Sequence, residues 1–425
     1  MKTCSACHRL FDPTSGFCPV DGTKLESVEP SKVPTDPEDG RIGKKLCGRY
    51  LIFRTVADGG MGRVYQALDE QAQRSVALKI LHPEVAADGV AVERFKREFE
   101  ISSSLPHDHI VDVLGFEKTD DGSYALVMEY LEGEELRMLL KREKTIRPER
   151  LLRMLSQTAL GLQGAHDRKQ VHRDLKPDNI FLCHTPEGDV TKILDFGSVR
   201  DNSENAKKLT VMGTTIGSPF YMAPEQAQGL PSLDHRADVW SAAAIAYECL
   251  TGTVPFPGST GPAILLAILT QDPAPISETG RAQSIPETLD EVMERALSKN
   301  PDLRFSSMGE LADAVGAAFG LEGDHRLWAT LPEAKLTMLI AERLPAKLEA
   351  HKNKAAVMPD TANLDAAFKA GSQGGPAGLG AAGGTTLPDD YVIMGMPKDK
   401  PPWFWPAVGG GALVVVGLLV FLLAR

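Results

Sequence analysis

Three polar residues near the middle of the chain have the types and spacing that metal binding and proton transfer require. Asp174 and Asn179 lie in the stretch VHRDLKPDNIFL, and Asp195 lies in KILDFGSVR, 21 residues after Asp174. Carboxylate and amide oxygens suit divalent cations, and a carboxylate can also accept the proton of a hydroxyl nucleophile. Strand-like apolar residues flank all three, so we expect short strands to carry them.

A glycine-rich stretch and a lysine precede this set. Gly59, Gly60 and Gly62 lie in TVADGGMGRVYQAL between two strand-like segments, and glycine there would let the backbone approach phosphate oxygens closely. Lys79, in VALK, follows Gly62 by 17 residues on the inner face of a predicted strand. A lysine on a buried face needs an anion, and Glu98 in the helical stretch VERFKREFEISSSL is the natural partner. Taken alone, a hairpin and two surface charges would also explain these features.

Three cysteines lie near the N-terminus. Cys4, Cys7 and His8 spell C-x-x-C-H, and a similar turn begins at Cys18, with Asp21 where a second cysteine would stand. We predict a zinc ribbon in residues 1–26 with Cys4, Cys7, Cys18 and Asp21 as ligands, and His8 as the alternative fourth ligand. Structural zinc would stabilise a segment too poor in apolar residues to fold alone. Haem attachment and a redox pair are the alternatives; the first lacks an export signal and the second a βαβ context.

Length and composition indicate a globular protein with appendages. The chain has 425 residues, 43% of them hydrophobic, which predicts one large or two moderate domains. Its net charge of −11 argues against electrostatic binding to nucleic acid, and we expect no nucleic-acid partner. Six cysteines without a disulfide framework indicate a reducing compartment, and the N-terminus has no apolar run typical of a signal peptide.

Composition shifts divide the chain into segments. A linker rich in proline and acidic residues should occupy residues 27–48, and a folded domain should occupy 49–319. We expect residues 320–402 to form a juxtamembrane region, with a helical pattern interrupted at Pro345 and a flexible tether rich in glycine and alanine. The segment CHTPEGDV, before Asp195, is typical of a surface hairpin, and SAAAIAYECL of a buried helix.

The C-terminal residues 403–425 are predicted to anchor the chain in a membrane. Ala407 to Ala424 are 18 uncharged residues, enough for about 27 Å of helix. Aromatic residues at 403–405 would form an interfacial belt, and Lys398 and Lys400 favour a cytoplasmic location for the preceding chain. A buried core helix is the alternative.

Together, these motifs resemble the protein kinase family, and most closely the bacterial serine/threonine kinases of eukaryotic type, from about Arg49 to Phe319. The resemblance implies an α+β bilobal protein kinase fold with a β-rich N-terminal lobe and a helical C-terminal lobe. It also implies transfer of the γ-phosphoryl group of ATP to serine or threonine hydroxyls of protein substrates, with Mg²⁺ or Mn²⁺ as cofactor. With the predicted anchor, the expected location is the inner membrane, crossed once, with the kinase domain in the cytoplasm.

The same resemblance assigns roles to the polar residues. Lys79 would hold the α and β phosphates of ATP and pair with Glu98, while Asn179 and Asp195 would bind the magnesium ions. Asp174 would accept the proton of the substrate hydroxyl.

Further residues would surround the nucleotide. By the resemblance, Lys176 would neutralise charge on the moving phosphoryl group, and Met128 would be the gatekeeper. The backbone of Glu129 and Leu131 would bond the adenine, and Glu135 would reach the ribose. The remaining residues expected to bind the nucleotide are small or apolar: Ala57, Gly59, Gly60, Gly62, Val64 and Ala77.

The segment from Ser198 to Glu225 matches an activation segment. Arg173, beside the predicted catalytic aspartate, would need a counter-anion, which phosphorylation of Thr210, Thr214 or Thr215 would supply. We therefore predict activation by autophosphorylation, with a homodimer for reaction in trans. A segment ordered without phosphate is the alternative.

Two further residues would have structural roles by the same resemblance. Asp238 would brace the catalytic loop, and Arg304 would pair with Glu225.

One departure from the family pattern stands in the glycine-rich loop, where Ala57 replaces the usual first glycine, and we expect activity to survive it. The alternative function is a pseudokinase scaffold, which would usually lack Lys79, Asp174 or Asp195. All three are present.

Overall fold

The computed structural model describes residues 2–6, 10–11, 16–18, 21–27, 39–196, 219–280 and 285–357. They belong to the first of two units, residues 1–358. At the N-terminus, three two-residue strands pair antiparallel in the order β2-β1-β3. Their bounds are β1 Lys2–Thr3, β2 Leu10–Phe11 and β3 Glu26–Ser27.

An antiparallel sheet forms the next part of the fold, with strand order β4-β5-β6-β7-β9-β8. The strands are β4 Lys45–Leu46, β5 Tyr50–Asp58, β6 Gly62–Asp69, β7 Arg74–Leu81, β8 Val113–Lys118 and β9 Tyr124–Glu129. Alternating apolar residues give the sheet a buried face, on which Ile52, Tyr65, Leu78 and Ile80 form part of a core.

Two helices follow β7, namely α1 Pro83–Ala86 and α2 Gly89–Ser103, and α2 packs on β8 and β9. The Asp88 carboxylate accepts from the backbone N–H of Val90 and so caps α2. Phe95 and Glu98 are both buried on α2, and their spacing of three residues places them on one helix face. The helix therefore presents a carboxylate beside its apolar contact with the sheet.

Helices dominate the second lobe. A small sheet with strand order β10-β11-β12 lies at its start, formed by β10 Gly133–Glu135, β11 Ile180–Cys183 and β12 Val190–Ile193. The helices are α3 Leu136–Glu143, α4 Pro148–Asp167, α5 Pro224–Ala227, α6 Arg236–Thr251, α7 Gly261–Thr270, α8 Ile276–Thr279, α9 Thr288–Ala296, α10 Met308–Ala318, α11 His325–Thr330 and α12 Glu333–Val357. Short 3-10 turns occur at Pro177–Asn179, Pro219–Tyr221 and Pro301–Leu303. This arrangement confirms the predicted bilobal α+β fold.

Two local predictions agree with the structure. The segment before Asp195 forms the antiparallel hairpin of β11 and β12. In α6, the stretch 241–250 is buried except for Glu248, because it lies in the middle of the helical lobe. Nearly uniform apolar composition is the pattern expected of a helix enclosed on all sides.

The folded lobes extend beyond both limits expected from the sequence. Residues 39–48, assigned to the linker, include β4, and Leu46 is buried in the core of the first lobe. After Phe319, the core of the second lobe continues through Trp328, Leu336 and Ile340. Composition did not indicate these extensions of the folded lobes, because charged residues alternate with the few buried ones. Helix α12 also runs through Pro345 without the interruption that we expected.

No helix within the described residues is both long enough and apolar enough to cross a membrane. The predicted anchor at 403–425 and the tether rich in glycine and alanine lie outside the described residues.

Candidate active site

A lysine between two carboxylates lies where the sheet meets helix α2. Lys79 Nζ, on β7, is 2.9 Å from Glu98 Oε1 on α2 and 2.9 Å from Asp195 Oδ1, just after β12. The side chains of Lys79 and Glu98 are 15% and 8% exposed, whereas that of Asp195 is 41% exposed. The pairing of Lys79 with Glu98 is the one predicted from the sequence, and it turns the ammonium toward the more open carboxylate.

The protonation states at this cluster follow from burial and charge. Burial lowers the pKa of Lys79, but the charges of Asp195 and Glu98 outweigh it and raise the pKa above its usual value. Burial alone would raise the pKa of Asp195, and Lys79 reverses that effect, so the net pKa is lowered. The pKa of Glu98 is raised by burial, which Lys79 offsets only in part. The site therefore holds a cation with an ionised, partly open aspartate beside it.

The residues of the predicted catalytic loop lie around Asp174. Lys176 Nζ lies 2.7 Å from Asp174 Oδ2. The side-chain amide of Asn179 donates to the Asp174 carbonyl at 2.7 Å and to Oδ2 at 3.3 Å. The Asn179 carbonyl accepts from the Leu194 N–H at 2.9 Å, which places Asn179 beside the residue preceding Asp195. The loop of Asp174 and Asn179 is thus joined to the segment of Asp195, which binds the distant Lys79.

A buried aspartate holds this loop in an unusual backbone conformation. Arg173 and Asp195 have φ of 65° and 53°, in the left-handed region that costs energy for residues with a side chain. The carboxylate of Asp238 accepts from the backbone N–H groups of His172 and Arg173, each at 2.9 Å. Burial raises the pKa of Asp238, but the hydrogen bond and charge of His166 have the larger, opposite effect. The net pKa is lowered, so the buried carboxylate is ionised. Asp238 therefore contacts the loop as predicted.

One face of the sheet carries the side chains expected to surround the nucleotide. Across strands β5, β6, β7 and β9, Ala57 pairs with Val64, Val64 with Lys79, and Ala77 with Met128. Paired residues, and residues two apart on one strand, share a face. These five residues therefore lie on one face.

The glycine-rich loop joins β5 to β6 and includes Gly59 and Gly60. A Cβ at Gly62 would lie 2.3 Å from the Ile80 carbonyl oxygen, whereas a Cβ at Gly60 would meet nothing within 4 Å. Glycine at 62 is thus required by the close approach of β6 to β7.

The segment after β9 has the groups expected to contact the base and the ribose. The backbone N–H of Glu129 already donates to the Asp112 carbonyl at 2.9 Å. The group of Glu129 expected to contact the base is therefore its own backbone carbonyl, which would accept a hydrogen bond. Leu131 follows β9, and Glu135 ends β10. The pKa of Glu135 is raised by burial and by the nearby charges of Asp178 and Asp195.

Sequence reasoning missed several polar contacts near the site. Lys192 Nζ lies 2.6 Å from the Glu129 carboxylate and joins β12 to the end of β9. His82 Nε2 is 2.9 Å from the Gly59 carbonyl and 3.1 Å from an oxygen of Asp58. Lys192 could have been noticed as a lone cation in an apolar strand. Nothing in the local pattern marks His82, because its partners come from another strand.

Arg304 and Glu225 form the predicted pair, and it is buried. Two guanidinium nitrogens each lie 2.7 Å from a carboxylate oxygen of Glu225. The side chains are 0% and 9% exposed, so the pair is enclosed by the second lobe. The predicted phosphorylation sites Thr210, Thr214 and Thr215 lie outside the described residues.

Three candidate metal ligands lie close together near the N-terminus. The Sγ atoms of Cys4 and Cys18 and a carboxylate oxygen of Asp21 are all within 4.8 Å of one another. Cys4 Sγ is 3.4 and 3.3 Å from the two carboxylate oxygens of Asp21 and accepts from the Ala6 N–H at 3.4 Å. Both cysteines are buried, at 0% and 2% exposure. Thiolate and carboxylate ligands at this spacing suit Zn²⁺. Cys7 and His8 lie outside the described residues.

Comparison with known proteins agrees with this geometry. The family model of the protein kinase domain matches residues 50–315. Serine/threonine-protein kinase PknA of Mycobacterium tuberculosis is 37% identical over 281 residues, which are 65% of this chain and 63% of PknA. Serine/threonine-protein kinase pkn3 of Myxococcus xanthus is 35% identical over 270 residues, 63% of this chain and 49% of pkn3. The chain thus covers less than two thirds of each of these relatives.

A solved structure shows the same fold. The crystal structure of the Mycobacterium tuberculosis PknI kinase domain superposes with a TM-score of 0.51 and 28% identity, covering 65% of this chain and 98% of that domain. The family match covers well over half of the chain, and it coincides with the residues that form the cluster around Lys79 and Asp174. The chain therefore belongs to the protein kinase family.

Proposed function

We propose that this protein is an ATP-dependent serine/threonine protein kinase. The observation that carries the proposal is the convergence of Lys79 and Asp195, 2.9 Å apart, with Asp174, Lys176 and Asn179 in one cluster. Phosphoryl transfer needs alignment and stabilisation of negative charge rather than covalent help, and this set supplies both.

The residues divide the work of the reaction. The ammonium of Lys79 would contact the phosphates, with Glu98 holding it in place. Asp174 would accept the proton of the attacking hydroxyl as the bond between the γ phosphorus and the ADP oxygen breaks, and Lys176 would neutralise the transferring group. Asn179 and Asp195 offer the hard oxygen ligands that Mg²⁺ or Mn²⁺ prefers. Bound metal would neutralise phosphate charge.

Incorporation of labelled γ-phosphate into a basic protein substrate tests this function. We expect transfer by the full chain and none by Asp174→Asn, while Asp302→Asn, on an exposed side chain of the second lobe, should behave as wild type. A folded wild-type protein that binds Mg·ATP without turnover would refute the proposal. It would favour the pseudokinase scaffold instead.

The proposed function includes activation by phosphorylation of the activation segment. The support is Arg173, which lies directly before Asp174 in the family's catalytic-loop pattern. Replacement of Thr210, Thr214 and Thr215 together by alanine should greatly reduce activity and remove phosphate from the segment. Unchanged activity would exclude this mode of activation. Activity that rises with protein concentration would support transfer between the subunits of a homodimer.

We also propose structural zinc at the N-terminus, supported by the buried Cys4 and Cys18 beside Asp21. Metal analysis of the full chain should find about one zinc per chain, and Cys18→Ser should lose it. Cys47 is a half-buried cysteine elsewhere in the chain, so Cys47→Ser is the matched control and should retain the zinc. Zinc below about half an equivalent in the wild type would refute a structural site, since such a site should be filled.

Residues 403–425 are proposed to anchor the kinase to the inner membrane. The support is the apolar stretch from Ala407 to Ala424 with its aromatic flank. The full chain should sediment with membranes, and a chain ending at residue 402 should not. Equal distribution of the two would exclude the anchor.

A further inference from the structure

In the segment 39–48, which includes β4, the mostly buried carboxylate of Asp39 contacts the first lobe. Asp39 accepts hydrogen bonds from the side chains of three residues of β5 and β6: Arg63 at 2.7 Å, Tyr65 at 3.0 Å and Thr55 at 3.2 Å. Its side chain is only 11% exposed. Burial raises the pKa of Asp39, but Arg63 and the other hydrogen-bond donors together have the larger, opposite effect. The net pKa is lowered, so the carboxyl group is ionised near neutral pH.

Arg63 continues this connection to the glycine-rich loop. Its Nη1 binds Asp39, while its Nε and Nη2 bind Asp58 Oδ2 at 2.8 and 2.5 Å. Asp58 and Arg63 are paired residues at the ends of β5 and β6, on either side of the three loop glycines. A single guanidinium therefore bridges the base of the loop and joins it to the preceding segment.

The bridge lies on the face of the sheet opposite the expected nucleotide site. Val64 shares a face with Lys79, so its neighbours Arg63 and Tyr65 point to the other side. Asp39 therefore does not lie on the nucleotide face, and its effect on the site would pass through Arg63. Such a restraint matters here because glycines allow many backbone conformations, and the loop must adopt one of them over the phosphates.

We propose that Asp39 is a positioning residue that holds the glycine-rich loop through Arg63 and Asp58, so that the segment 39–48 sets nucleotide affinity. This proposal about Asp39 rests on the proposed kinase function only where it is tested by steady-state kinetics. Two other ion pairs of the segment involve neither Arg63 nor Asp58: Arg41 binds Asp121 at 2.5 Å, and Lys45 binds Glu70 at 2.5 Å.

The test compares Asp39→Asn with Lys45→Met in the full chain. Lys45→Met removes an ion pair of the same segment that does not touch the loop, and it is the matched control. Equilibrium binding of Mg·ATP and steady-state kinetics are measured on both. We expect Asp39→Asn to raise Kd and KM for ATP about fivefold, the size of a modest coupling between sites, with kcat close to wild type. Asp39→Glu, which retains the carboxylate, should recover most of the affinity.

A role confined to stability predicts otherwise. Asp39→Asn and Lys45→Met would then lower the melting temperature while leaving the Kd for Mg·ATP at the wild-type value, and this result overturns the proposal. If Asp39→Asn does not fold, Arg63→Lys replaces it, because lysine keeps the charge but cannot bridge two carboxylates with three nitrogens. Wild-type affinity in Arg63→Lys also overturns the proposal. A wild-type chain that binds Mg·ATP without turnover refutes the kinase function alone, since the binding comparison does not need turnover.

Discussion

Replacement of Trp328 by alanine should strongly destabilise the catalytic domain, although the family match ends at residue 315. Trp328 lies on α11 and is 1% exposed. Its ring packs directly on α10 at Gly316, where an added Cβ would lie 2.2 Å from ring atoms. The side chain therefore fills a space that α10 leaves open for it.

The expected loss follows from the size of the ring. Truncation of a buried tryptophan to alanine costs about 3–5 kcal/mol, because the transfer free energy is lost and a cavity remains. Domains are typically stable by only about 5–15 kcal/mol, so this is a large fraction of the total. A fall of about 10 °C in the melting temperature should accompany it.

Thermal and urea unfolding, monitored by circular dichroism, measure this effect. Leu327→Ala is the matched control, since Leu327 is the preceding residue on α11 and is 47% exposed. We expect it to change the free energy of unfolding by less than about 1 kcal/mol. Leu336→Ala, on a fully buried side chain of α12, should resemble Trp328→Ala.

Equal midpoints for Trp328→Ala and Leu327→Ala would refute the reasoning, because α11 and α12 would then lie outside the cooperative unit. The same packing predicts that a chain ending at Phe319 folds poorly. The buried side chains of Arg153 and Gln157 on α4 donate to the carbonyls of Leu331 and Ala329, and truncation would remove both acceptors. Each unsatisfied group should cost about 1–3 kcal/mol.

Three further predictions test other parts of the structure. Burial between aromatic rings lowers the pKa of Lys299 to about 8, so between pH 8 and 10.5 this side chain binds fewer protons in the folded state than in the unfolded state; its contribution to stability should rise with pH there, and Lys299→Met should make the slope of unfolding free energy against pH less positive than that of the wild type in urea titrations. Arg304→Met leaves Glu225 buried without its partner and should cost about 3–5 kcal/mol in thermal unfolding, and a loss below 1 kcal/mol would contradict this account. Gly62→Ala forces a Cβ against a carbonyl and should cost about 1–3 kcal/mol, whereas Gly60→Ala should leave the melting temperature unchanged; equal effects would be evidence against the close approach of β6 and β7.

Much of the candidate active site could be predicted from the sequence because its residues lie in short motifs. The pairings of Lys79 with Glu98 and of Arg304 with Glu225 were both predicted, and both are present. The two lobes were expected only through the resemblance to protein kinases that these motifs carry, since the alternating and helical patterns indicated no more than a folded domain. Where the structure extends the domain, at β4 and at α11 and α12, the sequence signal is a few buried residues among many polar ones.

The sequence by itself determined which groups could perform the chemistry, since the types and order of Lys79, Asp174, Asn179 and Asp195 are written in it. Only the tertiary structure decided how these groups are held. The contacts of Asp39 with Arg63 and of Trp328 with Gly316 join residues 24 and 12 positions apart. Local preference extends only over neighbouring residues of a strand or helix, whereas such contacts depend on which elements pack together. Packing therefore made two segments beyond the expected domain limits part of the kinase fold.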